Sequence, residues 1–201
     1  MKPKERIIFI TGWILDYCSK MPKKPDCLVV GVSGGIDSAV VSTICAASGM
    51  KTFALSMPIR QIKEQDDLSK AHCYWLSSNF KNVETVIINL DSVFREFEKA
   101  SGNNSSEHAF ANSRARLRMT TLYQIAGSNN GIVVGTGNKV EDFGVGFYTK
   151  YEDGGVDILL SLIAQSRKYG KWGKNLKLIK KLLMLHQQMD CGLTAEQMRG
   201  S

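Results

Sequence analysis

Four short, largely apolar runs punctuate the first two thirds of the chain, at residues 28–32, 52–57, 85–90 and 132–135. They lack the strict apolar–polar alternation of a half-exposed strand, which is the pattern expected of strands covered on both faces. Longer stretches with helical spacing separate them, at 39–47, 63–79, 91–100 and 109–126, and another at 5–20 precedes the first run. Strands alternating with helices predict an α/β fold, a doubly wound, mostly parallel sheet with helices on both faces. Ligands of such sheets bind beyond the C-terminal ends of the strands. Three motif-like stretches fall there: 31–38 after the first strand, 56–60 after the second and 135–141 after the last. Residues 101–107 are polar and read as a loop.

Composition narrows the class. The 201 residues suffice for one sizeable core. No run approaches the roughly 18 apolar residues that cross a membrane, so no membrane partner is expected. The charged start, followed by apolar residues broken at Thr11 and Gly12, reads as an amphipathic helix and not a signal peptide. Five cysteines without a C-x-x-C pair argue against a disulfide framework or a zinc site and fit a reducing cytoplasm. The net charge of +7 suggests nucleic acid until it is located. Residues 1–157 carry 18 Lys and Arg against 17 Asp and Glu, whereas 158–201 carry 8 against 2. The basicity belongs to the tail, and no nucleic-acid partner is expected.

The candidate chemistry centres on Gly31-Val32-Ser33-Gly34-Gly35-Ile36-Asp37-Ser38. A buried strand that ends in a Gly-rich turn opening a helix aims backbone N–H groups and the positive end of a helix at one place, which suits phosphate. The run lacks the lysine of the common P-loop. It offers instead the Asp37 carboxylate and the hydroxyls of Ser33 and Ser38.

This loop after a first parallel strand resembles that of the N-type ATP pyrophosphatases, which cleave ATP between its α and β phosphates. Three further stretches are similar to ammonia-dependent NAD synthetases: Asn112-Ser113-Arg114-Ala115-Arg116-Leu117-Arg118-Met119, the Gly135-Thr136 segment ending at Glu141, and Thr149-Lys150-Tyr151-Glu152-Asp153-Gly154-Gly155-Val156-Asp157. Glu152 stands where that family usually has glycine. Taken singly, Arg114, Arg116 and Arg118 would be a solvated helix face, Glu141 with Asp142 a surface pair, and Gly154-Gly155 a turn. One site accounts for all of them together. His72, His108 and His186 show no partner pattern, and Met57 and Met119 read as packing residues.

The resemblance implies an adenine nucleotide alpha hydrolase-like fold and amidation of deamido-NAD to NAD with ATP and ammonia. It implies that Gly31, Val32, Ser33, Gly34, Gly35, Ile36, Asp37 and Ser38 cradle the ATP phosphates, with Thr136 also touching ATP. Asp37 and Glu141 would be the catalytic carboxylates and would ligate Mg²⁺, an ion that prefers hard oxygen donors. Arg116, Lys150 and Asp157 would hold deamido-NAD. A homodimer is implied as well, with ammonia supplied free or from elsewhere.

The motif-by-motif resemblance stops after Asp157-Ile158, dividing the chain into a 1–157 synthetase domain and a basic, helical 158–201 tail. The family lysine expected in 159–166 is missing, and Ser166 takes its place. A coding of 168–175 regrouped from its third base reads Val-Trp-Glu-Met-Gly-Lys-Glu, close to the family's helix there. A frameshifted tail that impairs activity is therefore expected, and the gene's base sequence decides it. The competing expectations are another ATP pyrophosphatase, of the GMP synthetase or tRNA-modifying kind, and a non-catalytic nucleotide or nucleic-acid binder that uses the tail.

Overall fold

The computed structural model describes residues 3–102, 106–137, 150–151 and 155–160. Five parallel strands form one sheet, and helices cover both of its faces. The elements run α1 (Pro3–Lys20), β1 (Cys27–Gly31), α2 (Ile36–Ala47), β2 (Lys51–Ser56), α3 (Lys63–Asn79), β3 (Val83–Ile87), α4 (Asp91–Ser101), α5 (Glu107–Ser128), β4 (Gly131–Gly135) and β5 (Ile158–Leu159). The expected α/β architecture is the observed one.

The apolar runs are explained by where their side chains go. On β1, Leu28 and Val30 join Ile10 and Ile14 of α1, Val40, Val41 and Ile44 of α2, and Val134 of β4. Val29, one residue out of phase, faces the opposite layer with Phe53, Leu55, Phe94 of α4, and Met119 and Leu122 of α5. Period-2 side-chain alternation thus places Cys27, Leu28, Val29 and Val30 in one core or the other. Leu28, in the middle strand, is fully buried. Leu28→Ala should therefore cost about 2–5 kcal/mol. Urea unfolding reads this directly, and a loss below about 1 kcal/mol would contradict the two-core packing.

The sheet order is β3-β2-β1-β4-β5. The chain builds outward from β1 on one side and then returns to lay β4 on the other, so the order reverses between β1 and β4. A crevice opens at such a reversal, beyond the C-terminal strand ends.

Three boundaries differ from the expected ones. α2 begins at Ile36 and takes in the second half of the glycine-serine run. α5 begins at Glu107, where the hydroxyl of Ser106 accepts a bond from the Ala109 N–H and caps the helix. The sheet also runs past residue 157. Ile158 and Leu159 pair with Val134 and Gly135, and both Ile158 and Leu160 are buried. The expected tail from 161 onward lies outside the described residues.

Candidate functional site

A cavity of about 550 Å³ lies at the sheet reversal. Gly31, Val32 and Ser33 from the end of β1 form one wall, and Val134, Gly135 and Thr136 from the end of β4 form another. Met57, Ile59, Arg60 and Gln61 enter from the segment after β2, and Arg118 and Leu122 from α5. The lining is mixed: thioether and branched carbons from Met57, Ile59 and Leu122, amide and guanidinium groups from Gln61, Arg60 and Arg118. That composition suits a flat apolar ring with a charged extension.

The glycine-serine loop is held by its own hydroxyls. The Ser38 Oγ donates to the Gly35 carbonyl at 2.9 Å and accepts from the Ser33 N–H at 3.1 Å. The Ser33 Oγ accepts from the Gly35 N–H at 3.2 Å and lies 3.1 Å from the Ser38 Oγ. With the Ser38 proton committed to Gly35, Ser33 is the donor of that hydroxyl pair. α2 then opens on Gly35, an N-cap residue with no side chain to bond back to the first turn. A helix start left open in this way presents its N–H groups and dipole to an anion.

Gly34 is the residue that cannot change. Its φ is +87°, and a Cβ there would sit 2.5 Å from the Gln65 carbonyl oxygen of α3. Gly35 has an ordinary φ of −80°, and an added Cβ would only approach the movable Ser33 Oγ, at 3.3 Å.

The other expected residues separate into two places. Thr136 lines the cavity opposite the loop. Asp37 sits half-buried in the first turn of α2. Arg116, on α5, is exposed and donates from its Nε to the Lys150 carbonyl at 3.0 Å. The Lys150 ammonium lies 5.0 Å from the centre of the Tyr151 ring. Arg116 and Lys150 are thus neighbours, outside the cavity lining. Asp157 carries a structural bond: its Oδ2 accepts from the Val133 N–H at 2.7 Å and so fastens β4 to the start of β5. Nearby, the Tyr123 hydroxyl donates to the Gly155 carbonyl at 2.6 Å. Burial first, then the Asp157 charge and a hydrogen bond to it, push the Tyr123 phenol up to about 12. Glu141 lies outside the described residues.

Two lining residues were given no role in the sequence reading: Arg118, although it stands in the 112–119 stretch, and Gln61. Arg118 lines the cavity and donates from its Nε to the Met57 carbonyl at 3.0 Å. Its spacing of four from Leu122, another lining residue, was the available signal. Gln61 also lines the cavity, and its Nε2 donates to the Ser33 carbonyl at 2.8 Å.

His72 lies in the layer beneath the loop. Its Nε2 is 2.9 Å from the Ser42 Oγ, and its ring stacks on Trp75. Burial, only partly offset by the Ala39 backbone, pulls the imidazole down to about 4. A folded-state value below the unfolded one means that His72 favours the fold fully above about pH 6.5, and that this is lost as pH falls toward 4. Wild type should therefore lose up to about 3 kcal/mol more than His72→Gln between pH 7 and pH 4. Parallel urea-derived stability curves for the two proteins would contradict a half-buried neutral imidazole.

A model of the NAD synthase family matches residues 7–181. The chain belongs to the NAD synthase family. Among curated relatives, the NH(3)-dependent NAD(+) synthetase of Carboxydothermus hydrogenoformans is 37% identical over 137 residues, covering 66% of this chain and 54% of that protein. The enzyme of the same description from Alkaliphilus metalliredigens is 39% identical over 157 residues, covering 74% and 62%. The chain thus spans somewhat over half the length of these relatives. Among solved structures, the NMN synthetase of Francisella tularensis superposes with a TM-score of 0.73 at 31% identity, covering 89% of this chain and 74% of that one. The NH3-dependent NAD synthetase of Campylobacter jejuni superposes with a TM-score of 0.72 at 28% identity, covering 99% and 85%. Among the described residues, no helix is long and apolar enough to cross a membrane.

Mg²⁺ is the ion that a triphosphate would bring to this site. Among the described residues no three His, Cys, Asp or Glu side chains gather in one place. Mg²⁺ needs no such cage, because it binds through one or two carboxylates together with substrate phosphates and water. One carboxylate beside an open helix start, as at Asp37, fits that requirement.

Proposed function

We propose that the chain carries the ATP-dependent amidation of deamido-NAD to NAD with ammonia, releasing AMP and pyrophosphate. The observation that carries this reading is the placement of Gly31, Val32 and Ser33, the first part of the glycine-serine loop that leads into α2, in the wall of the cavity between β1 and β4. A carboxylate resists amines because it is anionic and lacks a leaving group. Attack of the nicotinate carboxylate on the α-phosphorus of ATP forms the acyl-adenylate and expels pyrophosphate. Ammonia then adds to the acyl carbon and displaces AMP.

On this reading the loop from Gly31 to Ser38 receives the phosphates through backbone N–H groups and the Ser33 and Ser38 hydroxyls. Thr136 and Arg118 face the nucleotide across the cavity. Asp37, with Glu141, would hold Mg²⁺, which supplies positive charge against the phosphates. The chain's own contribution is position and preorganised charge, with no covalent step on a side chain. Arg116 and Lys150 lie outside the cavity, which supports their holding the anionic groups of deamido-NAD on a separate surface, shared in a homodimer. A reducing cytoplasm fits the four free, buried thiols of Cys18, Cys27, Cys45 and Cys73.

The NMN synthetase neighbour favours a second reading, in which the acid is nicotinic acid mononucleotide. Incubation with ATP, Mg²⁺, ammonia and either acid separates the two. AMP and NAD formed together with deamido-NAD support the first reading, and AMP and NMN formed from the mononucleotide support the second. No AMP from either at stoichiometric enzyme overturns both. The tail lacks the family's ATP lysine, so turnover is expected to be low, by about 10- to 150-fold for each lost charge-assisted contact.

A further inference from the structure

One group of residues has no part in the reading above. Gln61, Gln65, Ser69 and His72 lie along one side of α3 and the turn before it, at spacings of four, four and three that share a helix face. Each meets the glycine-serine loop or the turn that anchors it. Gln61 donates to the Ser33 carbonyl, and the Gln65 carbonyl fills the space a Gly34 side chain would need. The Ser69 Oγ lies 2.7 Å from the Val32 carbonyl and 2.7 Å from the Ser56 Oγ, all buried. The His72 Nε2 meets the Ser42 Oγ, which donates to the Ser38 carbonyl at 2.7 Å.

These contacts are directional. The Ser42 Oγ lies 2.7 Å from the Ser38 carbonyl and 3.2 Å from that of Ala39, and with its proton given to either it accepts from a His72 Nε2–H. Burial keeps the ring neutral, leaving it a single N–H to give. Burying hydroxyls and an imidazole against a sheet costs free energy unless each is bonded, and an apolar stripe would pack there at less cost. What the polar stripe provides is a fixed address for the carbonyls of residues 32, 33 and 38.

We propose that Ser69 and His72 are positioning residues that hold the 32–38 loop in its anion-receiving shape before nucleotide arrives. The catalytic consequence rests on the proposed function; the conformational claim does not. Hydrogen exchange of the loop amides in the nucleotide-free chain therefore tests it without turnover. In Ser69→Ala and His72→Phe, which keeps the stack on Trp75, exchange at the hydrogen-bonded loop amides of Ser33 and Gly35 should speed up about tenfold, the effect of one lost buried hydrogen bond. Amides of Val29 and Val133 in the central strands should be unchanged. His72→Gln restores an N–H near the Nε2 position and should bring loop exchange back to within about threefold of wild type. Steady-state assays should show KM for ATP rising about tenfold in both deletion variants, with kcat held within about threefold.

Loop exchange within twofold of wild type in both deletion variants, or acceleration spread equally over the strands, overturns the proposal. Should His72→Phe not fold, Ser69→Ala and His72→Gln carry the same comparison. A wild-type chain that binds no ATP condemns the functional reading, while the exchange data still decide this one.

Discussion

Gly34→Ala should leave the sheet assembled and remove at least about 99% of ATP affinity, a loss of two charge-assisted contacts or more. Two costs coincide at this residue. A φ of +87° strains any side chain, by about 1–3 kcal/mol. A Cβ would also stand 2.5 Å from the Gln65 carbonyl oxygen, a backbone atom inside α3 that cannot rotate away. The loop is the softer partner, so the loop must move. When it moves, the N–H groups at the start of α2 no longer converge, and several contacts to phosphate weaken together. Stability should fall by only about 1–3 kcal/mol, because within the loop Val32 alone belongs to an apolar core. Gly35→Ala is the control: its backbone is ordinary and its neighbour movable, so its effect on ATP affinity should stay below about tenfold. Titration of ATP calorimetrically into the three proteins checks both statements. Equal losses in the two variants would contradict the geometric argument.

Asp37→Asn should lower turnover about 10²- to 10³-fold with little change in unfolding midpoint. The replacement keeps the shape and loses the charge. In the first turn of α2 the carboxylate also complements the helix dipole, a contribution of about 0.3–1 kcal/mol that sets the limit of the stability effect. The larger catalytic loss follows from placing a negative group beside the phosphate site, where its use is to hold a cation between itself and the triphosphate. AMP formation measured across a range of Mg²⁺ concentrations reads the effect. Turnover within about threefold of wild type would remove Asp37 from the machinery.

The architecture was readable because it rests on local patterns. The runs of β1, β2 and β4 are apolar on both faces, and the glycines after β1 mark the turn into α2. Other features depend on which elements meet. β5 has two residues, too few to show a period, and what defines it is its pairing with β4 and the bond from the Val133 N–H to Asp157. Asp157 was expected at the dinucleotide, and its contact with β4 is set by tertiary placement that no spacing encodes. Ser69 and His72 look like ordinary polar positions of a mixed helix until α3 is packed against the loop. Arg118 was given no role for a similar reason: Arg116 carried the family pattern, and only the folded chain shows that Arg118 lines the cavity while Arg116 does not. Leu160, three residues beyond the expected boundary at 157, is fully buried, a placement set by tertiary packing.

The whole account depends on the turn after β1 receiving a triphosphate. A crystal structure with Mg²⁺ and a non-hydrolysable ATP analogue examines this directly. The expected density places the β and γ phosphates against the backbone of residues 33–38, with the base between the Met57 and Leu122 walls of the cavity. Analogue bound elsewhere on the chain, with that turn unchanged and empty, would contradict it.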